Sequence, residues 1–151
     1  MKSKTQLFIE LWQEARTRFS NQLPQLVADD LLKKIPPAEN SVAFLIRHIG
    51  EVELLFAKNV FGAKDINVVA KTIIAQRDTG EWTDLVALKA YVEQSFETLG
   101  SIIAQQTDDD WETLITTKEF GTKTKAQAFG RIVSHTTYHA GQMAIITKYA
   151  T

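Results

Sequence analysis

"TKAQAFGRIVSHTTYHAGQMAIITKY", residues 124–149, is the stretch whose reading decides the fold. Ala128, Ile132, Met143 and Ile146 recur at helical spacing on one stripe, and His135 and His139 occupy the turns between them. Thr124 and Gln127 have the spacing of a capping box, which starts a helix there and carries it to Tyr149. The helix is therefore expected to bury two imidazoles, one turn apart, in an otherwise apolar face.

Three further segments have the same period. The first runs from about Thr5 to Asn21, with Phe8, Leu11, Trp12, Ala15 and Phe19 on one face. Pro24 restarts the chain, so "LPQLVADDLLKKI" (23–35) reads as a separate helical turn or two, ended by Pro36 and Pro37. Asn40 or Ser41 can cap a second helix to about Val60, with Leu45, Ile49, Val52 and Phe56 inward and Gly62 at its stop. In residues 63–81, the longest connection, "INVVAKTIIAQRDTG" (66–80) suggests a short helix and a turn. Thr83 is the expected cap of a third helix, with Leu85, Leu88, Val92, Phe96, Leu99 and Ile103 buried, to about Gln106. "TDDDWETLI" (107–115) reads as a short capped helix and "TTKEFGTKT" (116–124) as a turn-rich excursion or small hairpin.

No run alternates with period two for long enough to argue for a sheet. The expected fold is all-α: a four-helix bundle over residues 1–151 as one domain, with a short extra helix and the turn-rich excursion before the last long helix.

Composition narrows the function. The chain has 151 residues, 44% hydrophobic and 23% charged, with a formal net charge of −1. No basic patch or acidic tail points to nucleic acid. The long helices are amphipathic, but their polar faces are not rich in Lys and Arg, and no segment has the length of a membrane span. Zero cysteines exclude disulfides, a thiolate nucleophile and Cys-based zinc sites. The N-terminal apolar run is interrupted by Glu10, too early for a signal peptide. A cytoplasmic protein with no membrane partner is expected.

The chain has only three histidines, and all fall on predicted core stripes. His48 lies between Leu45 and Val52 on the second helix. A lone core histidine is ordinarily a packed side chain with hydrogen-bonded nitrogens. Three of them buried together leave up to six ring nitrogens needing partners. A metal held by His48, His135 and His139 answers that need, each ring giving one nitrogen to the ion and its other N–H to a neighbouring acceptor.

"SVAFLIRHIGEVELLF" (41–56), followed by "SHTTYHAGQ" (134–142), resembles the DinB-like superfamily, with "HAGQ" the most specific piece and His48, Ile49 and Glu53 a supporting neighbourhood. The resemblance covers essentially the whole chain. It implies a four-helix bundle, ligand roles for His48, His135 and His139 in a facial arrangement with open positions, and often a homodimer. It also implies chemistry related to bacillithiol- or mycothiol-dependent S-transferases and isomerases. No residue here marks a particular thiol branch, so the reaction does not carry over with the ligands.

Three neutral ligands with an open position fit a catalytic site better than a structural one, which normally has four protein ligands. The ion could hold a low-molecular-weight thiol as thiolate for attack on an electrophile, or activate water for hydrolysis. Imidazole suits zinc, nickel, copper and iron alike, and divalent zinc, nickel or iron is the expected cofactor. The competing reading is a non-catalytic metal-binding or stress-related bundle.

Glu51 could act along the same rim as a proton acceptor or additional ligand, or be a solvated helix-face carboxylate. Gln142, one turn beyond His139, could orient a ligand or water, or bond backbone as a core amide. These two are the candidate catalytic residues. Tyr138 is expected to pack against a neighbouring helix or subunit, Gly141 to permit a close approach, and Arg131 to meet an anionic substrate or a surface carboxylate. Trp12, Trp82 and Trp111 read as core or interface anchors.

Overall fold

The structure, a computed structural model, describes residues 1–151. It is mostly helical, with four long helices, one short helix and a two-stranded antiparallel sheet. Helix α1 (Lys4–Ser20) opens with a capping box, in which Ser3 and Gln6 exchange side-chain and backbone hydrogen bonds. Helix α2 (Val42–Asn59) is capped by Ser41, whose hydroxyl accepts from Phe44 N at 3.0 Å. Helix α3 (Lys71–Ala75) is a short turn ending at Gln76, which adopts a left-handed φ of 54°. Helix α4 (Leu85–Ala104) is capped by Asp84, not by the expected Thr83: the Asp84 carboxylate accepts from Ala87 N. Helix α5 (Lys125–Tyr149) has the Thr124–Gln127 capping box read from the sequence. None of these helices is long and apolar enough to cross a membrane.

The 116–124 excursion takes the hairpin alternative, which adds one two-stranded sheet to the otherwise all-α reading. Strand β1 (Leu114–Thr117) pairs with β2 (Gly121–Thr124) in the register Leu114 to Thr124 and Thr117 to Gly121. Each strand is four residues long, too short for period-two alternation to register, and Gly121 supplies the positive φ (71°) that such a short connection needs. In the "TDDDWETLI" segment the expected short helix is reduced to a single 3-10 turn at Asp110–Glu112, where the Asp110 carboxylate accepts from Thr107 N at 2.7 Å, and Leu114 and Ile115 belong to β1. The 23–35 segment forms two such turns, Leu23–Gln25 and Ala28–Asp30.

Helix α2 lies against α4 and α5, and α1 against α5 and α4. Gly50 sets the approach of α2 to α4, since a Cβ there would come within 2.7 Å of the Tyr91 ring. The apolar interior is divided into two clusters. One gathers Phe19, Leu45, Ile49, Val92 and Met143; the other gathers Trp12, Phe56, Leu99, Trp111, Phe129 and Ile132. All three tryptophans are buried, as expected of core anchors.

Between the clusters runs a polar layer. Arg16 enters it from α1 and places its guanidinium against Glu53 of α2, with Nε and Nη2 donating to the two carboxylate oxygens at 2.6 and 3.2 Å. Ser95 donates to the same carboxylate at 2.6 Å, and Arg16 Nη2 also donates to the Val92 carbonyl at 2.8 Å. Both charged side chains are buried. Burial pushes the Glu53 carboxyl pKa up, and Arg16 and Ser95 oppose that shift. Arg16 shifts the buried face of α1 to Thr5, Trp12, Arg16 and Phe19, leaving Leu11 62% exposed rather than inward.

Candidate metal centre

The polar layer also holds the histidines. On α5, His135 and His139 lie between Ile132 of one apolar cluster and Met143 of the other; on α2, His48 precedes Ile49. The ring centroids lie 4.9 Å apart for His48 and His135, 4.8 Å for His48 and His139, and 4.4 Å for His135 and His139. His48 Nε2 and His135 Nε2 are 3.0 Å apart. Two donors each about 2.1 Å from one ion stand roughly 3.0–3.4 Å apart at ordinary coordination angles. No pair of donor atoms in the triad is farther apart than 4.8 Å, a separation that small side-chain rotations bring within reach of one ion. No fourth His, Cys, Asp or Glu joins the group.

Hydrogen bonds settle two of the three tautomers. The Thr72 hydroxyl donates its single proton to the Glu51 carboxylate at 2.5 Å, so it can only accept from His48 Nδ1, 2.8 Å away. His48 therefore carries its proton on Nδ1 and turns a bare Nε2 toward the triad. His139 Nδ1 donates to the Gln142 amide oxygen at 2.7 Å, with the same result. His135 differs: its Nδ1 is buried with no partner, and besides packing only the 3.0 Å contact of its Nε2 with His48 Nε2 holds the ring. The bare Nε2 atoms of His48 and His139 converge with the His135 ring in a half-buried layer, an arrangement that suits a cation.

Burial keeps the triad uncharged. It is the main cause lowering His48 to a pKa of about 4, reinforced by His139 and opposed by Glu51. Burial, then His139 and His48, takes His135 to about 3. Burial also lowers His139, against the Gln142 hydrogen bond. The ligands are thus deprotonated at neutral pH, as metal binding requires. A pH dependence follows. An unfolded histidine takes up its proton near pH 6.5, whereas the folded His48 and His135 resist until about 4 and 3. Between those values the unfolded chain binds more protons, so the metal-free protein is expected to lose stability as pH falls from 6.5 toward 3. Urea midpoints at pH 7 and pH 5 check this, and the drop should be smaller in His135→Ala.

The candidate residues of the sequence reading find different places. The three histidines come together. Glu51 is not a solvated carboxylate but fully buried, and it faces α3. Its oxygens accept from Lys71 N, Thr72 N, Thr72 Oγ1 and Arg47 Nε, so it stands behind Thr72, two hydrogen bonds from His48. Gln142 bonds the His139 ring rather than backbone. Tyr138 is 66% exposed, its ring edge-on to His139 at 5.2 Å. Arg131 lies 3.9 Å from Glu119. No atom would contact a Cβ on Gly141, which removes the close approach expected there. Thr72 escaped the sequence reading. It sits in an irregular connection, and only the fold brings it to His48.

The triad opens on a cleft of about 560 Å³ between α2, α3, α5 and the hairpin. Phe44, Val52, Leu55, Phe56 and Ile73 give it an apolar wall, Phe44 stacking on His48 at 5.6 Å, while Asn40, Gln76 and Glu119 supply polar edges.

The sequence profile of the DinB superfamily matches residues 10–143. The chain belongs to the DinB superfamily. A search of curated proteins gives no significant match. The span of this DinB chain that matches includes His48, Thr72, His135, His139 and Gln142, together with Arg16 and Glu53.

Proposed function

We propose that this DinB protein is a metal-dependent enzyme acting on a small molecule, with His48, His135 and His139 holding a divalent transition ion. In the same reading, α1, α2, α4 and α5 form a four-helix bundle over one domain, with α3 and the hairpin added to it. The observation that carries the proposal is the convergence of three neutral imidazoles on an open cleft with no fourth protein ligand. When bound, such an ion supplies Lewis acidity that brings the pKa of a thiol or a water toward neutrality. Because the chain has no cysteine, a thiol nucleophile would come from a low-molecular-weight cosubstrate. The apolar wall from Phe44 to Phe56 would hold the body of the electrophile and exclude water from it.

Glu51, Thr72 and Gln142 are assigned positioning roles. Glu51 fixes the Thr72 hydroxyl, Thr72 fixes the His48 tautomer, and Gln142 fixes that of His139. Loss of such a partner weakens metal affinity by about 10–100-fold. Thr72→Val is expected to show that loss, with the His48 Nδ1–H signature gone from the ring ¹⁵N spectrum, and Thr72→Ser to restore both. A structural role alone would leave the tautomer unchanged.

The test of function is turnover. Metal-loaded protein should consume an electrophile with a small thiol, or hydrolyse an activated ester, and chelator should stop it. Stoichiometric metal with no turnover in either assay would favour the non-catalytic bundle.

A further inference from the structure

We infer that the depression flanked by Lys58, Lys64 and Lys118 is an anion subsite for the carboxylate or phosphate end of an elongated small molecule whose reacting end meets the triad. The inference rests on the triad being the reaction site. This depression, about 540 Å³, lies between the last turns of α2 and the hairpin, and it shares Leu55, Phe56 and Glu119 with the triad cleft. The two are therefore adjoining compartments with a common apolar sill.

Charge distinguishes this compartment. Lys2, Lys4, Lys33, Lys34 and Lys71 each place their ammonium 2.6–3.0 Å from a carboxylate. Lys58, Lys64 and Lys118 form no ion pair; Lys89, Lys123 and Lys148 form none either, but they lie outside this depression, where three unpaired lysines meet although the chain as a whole carries a net charge of −1. The one carboxylate on the wall, Glu119, has Arg131 3.9 Å away. Three uncompensated ammonium groups around one depression favour an anion, most strongly at low ionic strength.

Helix geometry sets the ligand's length. Leu55 and Lys58 follow His48 by seven and ten residues on one helix. At about 1.5 Å per residue, the anionic end lies roughly 10–15 Å from the triad. That is the span of a tripeptide-sized molecule, with its middle lying across Leu55 and Phe56.

Lysine side-chain NMR on the full chain, metal-free and zinc-loaded, tests this with three probes: inorganic phosphate, glutathione (a tripeptide thiol with free carboxylates) and 2-mercaptoethanol (a thiol with none). Phosphate and glutathione should shift the signals of Lys58, Lys64 and Lys118, and 2-mercaptoethanol should not. The variant Lys58→Gln/Lys64→Gln/Lys118→Gln should bind glutathione about tenfold or more weakly, a change of at least ~1.4 kcal/mol, with zinc stoichiometry and melting temperature unchanged. Lysine signals that respond to neither anion, or a triple variant that binds glutathione like the parent, would overturn the inference. Failure to load zinc, nickel or iron would defeat the triad reading instead, and phosphate on the metal-free protein would still decide the lysine site.

Discussion

Arg16→Leu is expected to destabilise the protein by about 3–5 kcal/mol, the cost of leaving one partner of a buried ion pair uncompensated. The variant leaves the Glu53 carboxylate in the polar layer with only Ser95 as a side-chain donor. It also removes the guanidinium from the face of Phe96, 4.4 Å from the ring centroid. A domain of ordinary stability holds only about 5–15 kcal/mol in total, so the loss is a large share. Arg16→Leu/Glu53→Leu should recover most of it, because the apolar pair no longer carries the desolvation cost. Urea unfolding of the parent, the single variant and the double variant checks both statements. A single variant within about 1 kcal/mol of the parent would mean that the pair is not buried as described.

His135→Ala is expected to remove metal binding while leaving the metal-free fold intact. The His135 Nδ1 has no hydrogen-bond partner to lose, and its Nε2 is the donor that completes the triad. In the parent, a metal at about 1,000-fold excess over its Kd adds about 4 kcal/mol of stability. For a chain of this size that is a rise of roughly 8–16 °C in melting temperature. The variant should show no such rise, and EDTA should bring the loaded parent down to the metal-free value. An equal metal-dependent rise in parent and variant would place the ion elsewhere.

The legible parts of the molecule were those written in local periodicity. Helix α5 could be read to its caps because Thr124 and Gln127 signal its start and an apolar stripe runs its length. The triad could be read because the three histidines interrupt core stripes, where an unpaired imidazole is costly. Arg16 was illegible for the opposite reason. A charged residue reads as surface, and its burial depends on Glu53, thirty-seven positions away. Leu11 faces outward for the same reason, since the face of α1 turns to follow Arg16. Glu53 entered the sequence reading only through the resemblance, and its partner came from the fold. Thr72 lies in a connection without a period, and its hydrogen bond to His48 exists only once α3 docks on Glu51. Long-range polar contacts leave no periodic trace, and here they make up most of the support behind the ligands.

Under the proposed function, His48, His135 and His139 hold one metal ion. The most direct measurement of this is elemental analysis of protein purified without chelator, paired with an anomalous-scattering map of its crystals. A full equivalent of a divalent transition metal per chain and an anomalous peak among the three imidazoles are expected. A metal-free protein that takes up no transition ion on reconstitution, or a peak away from these rings, would contradict the proposal.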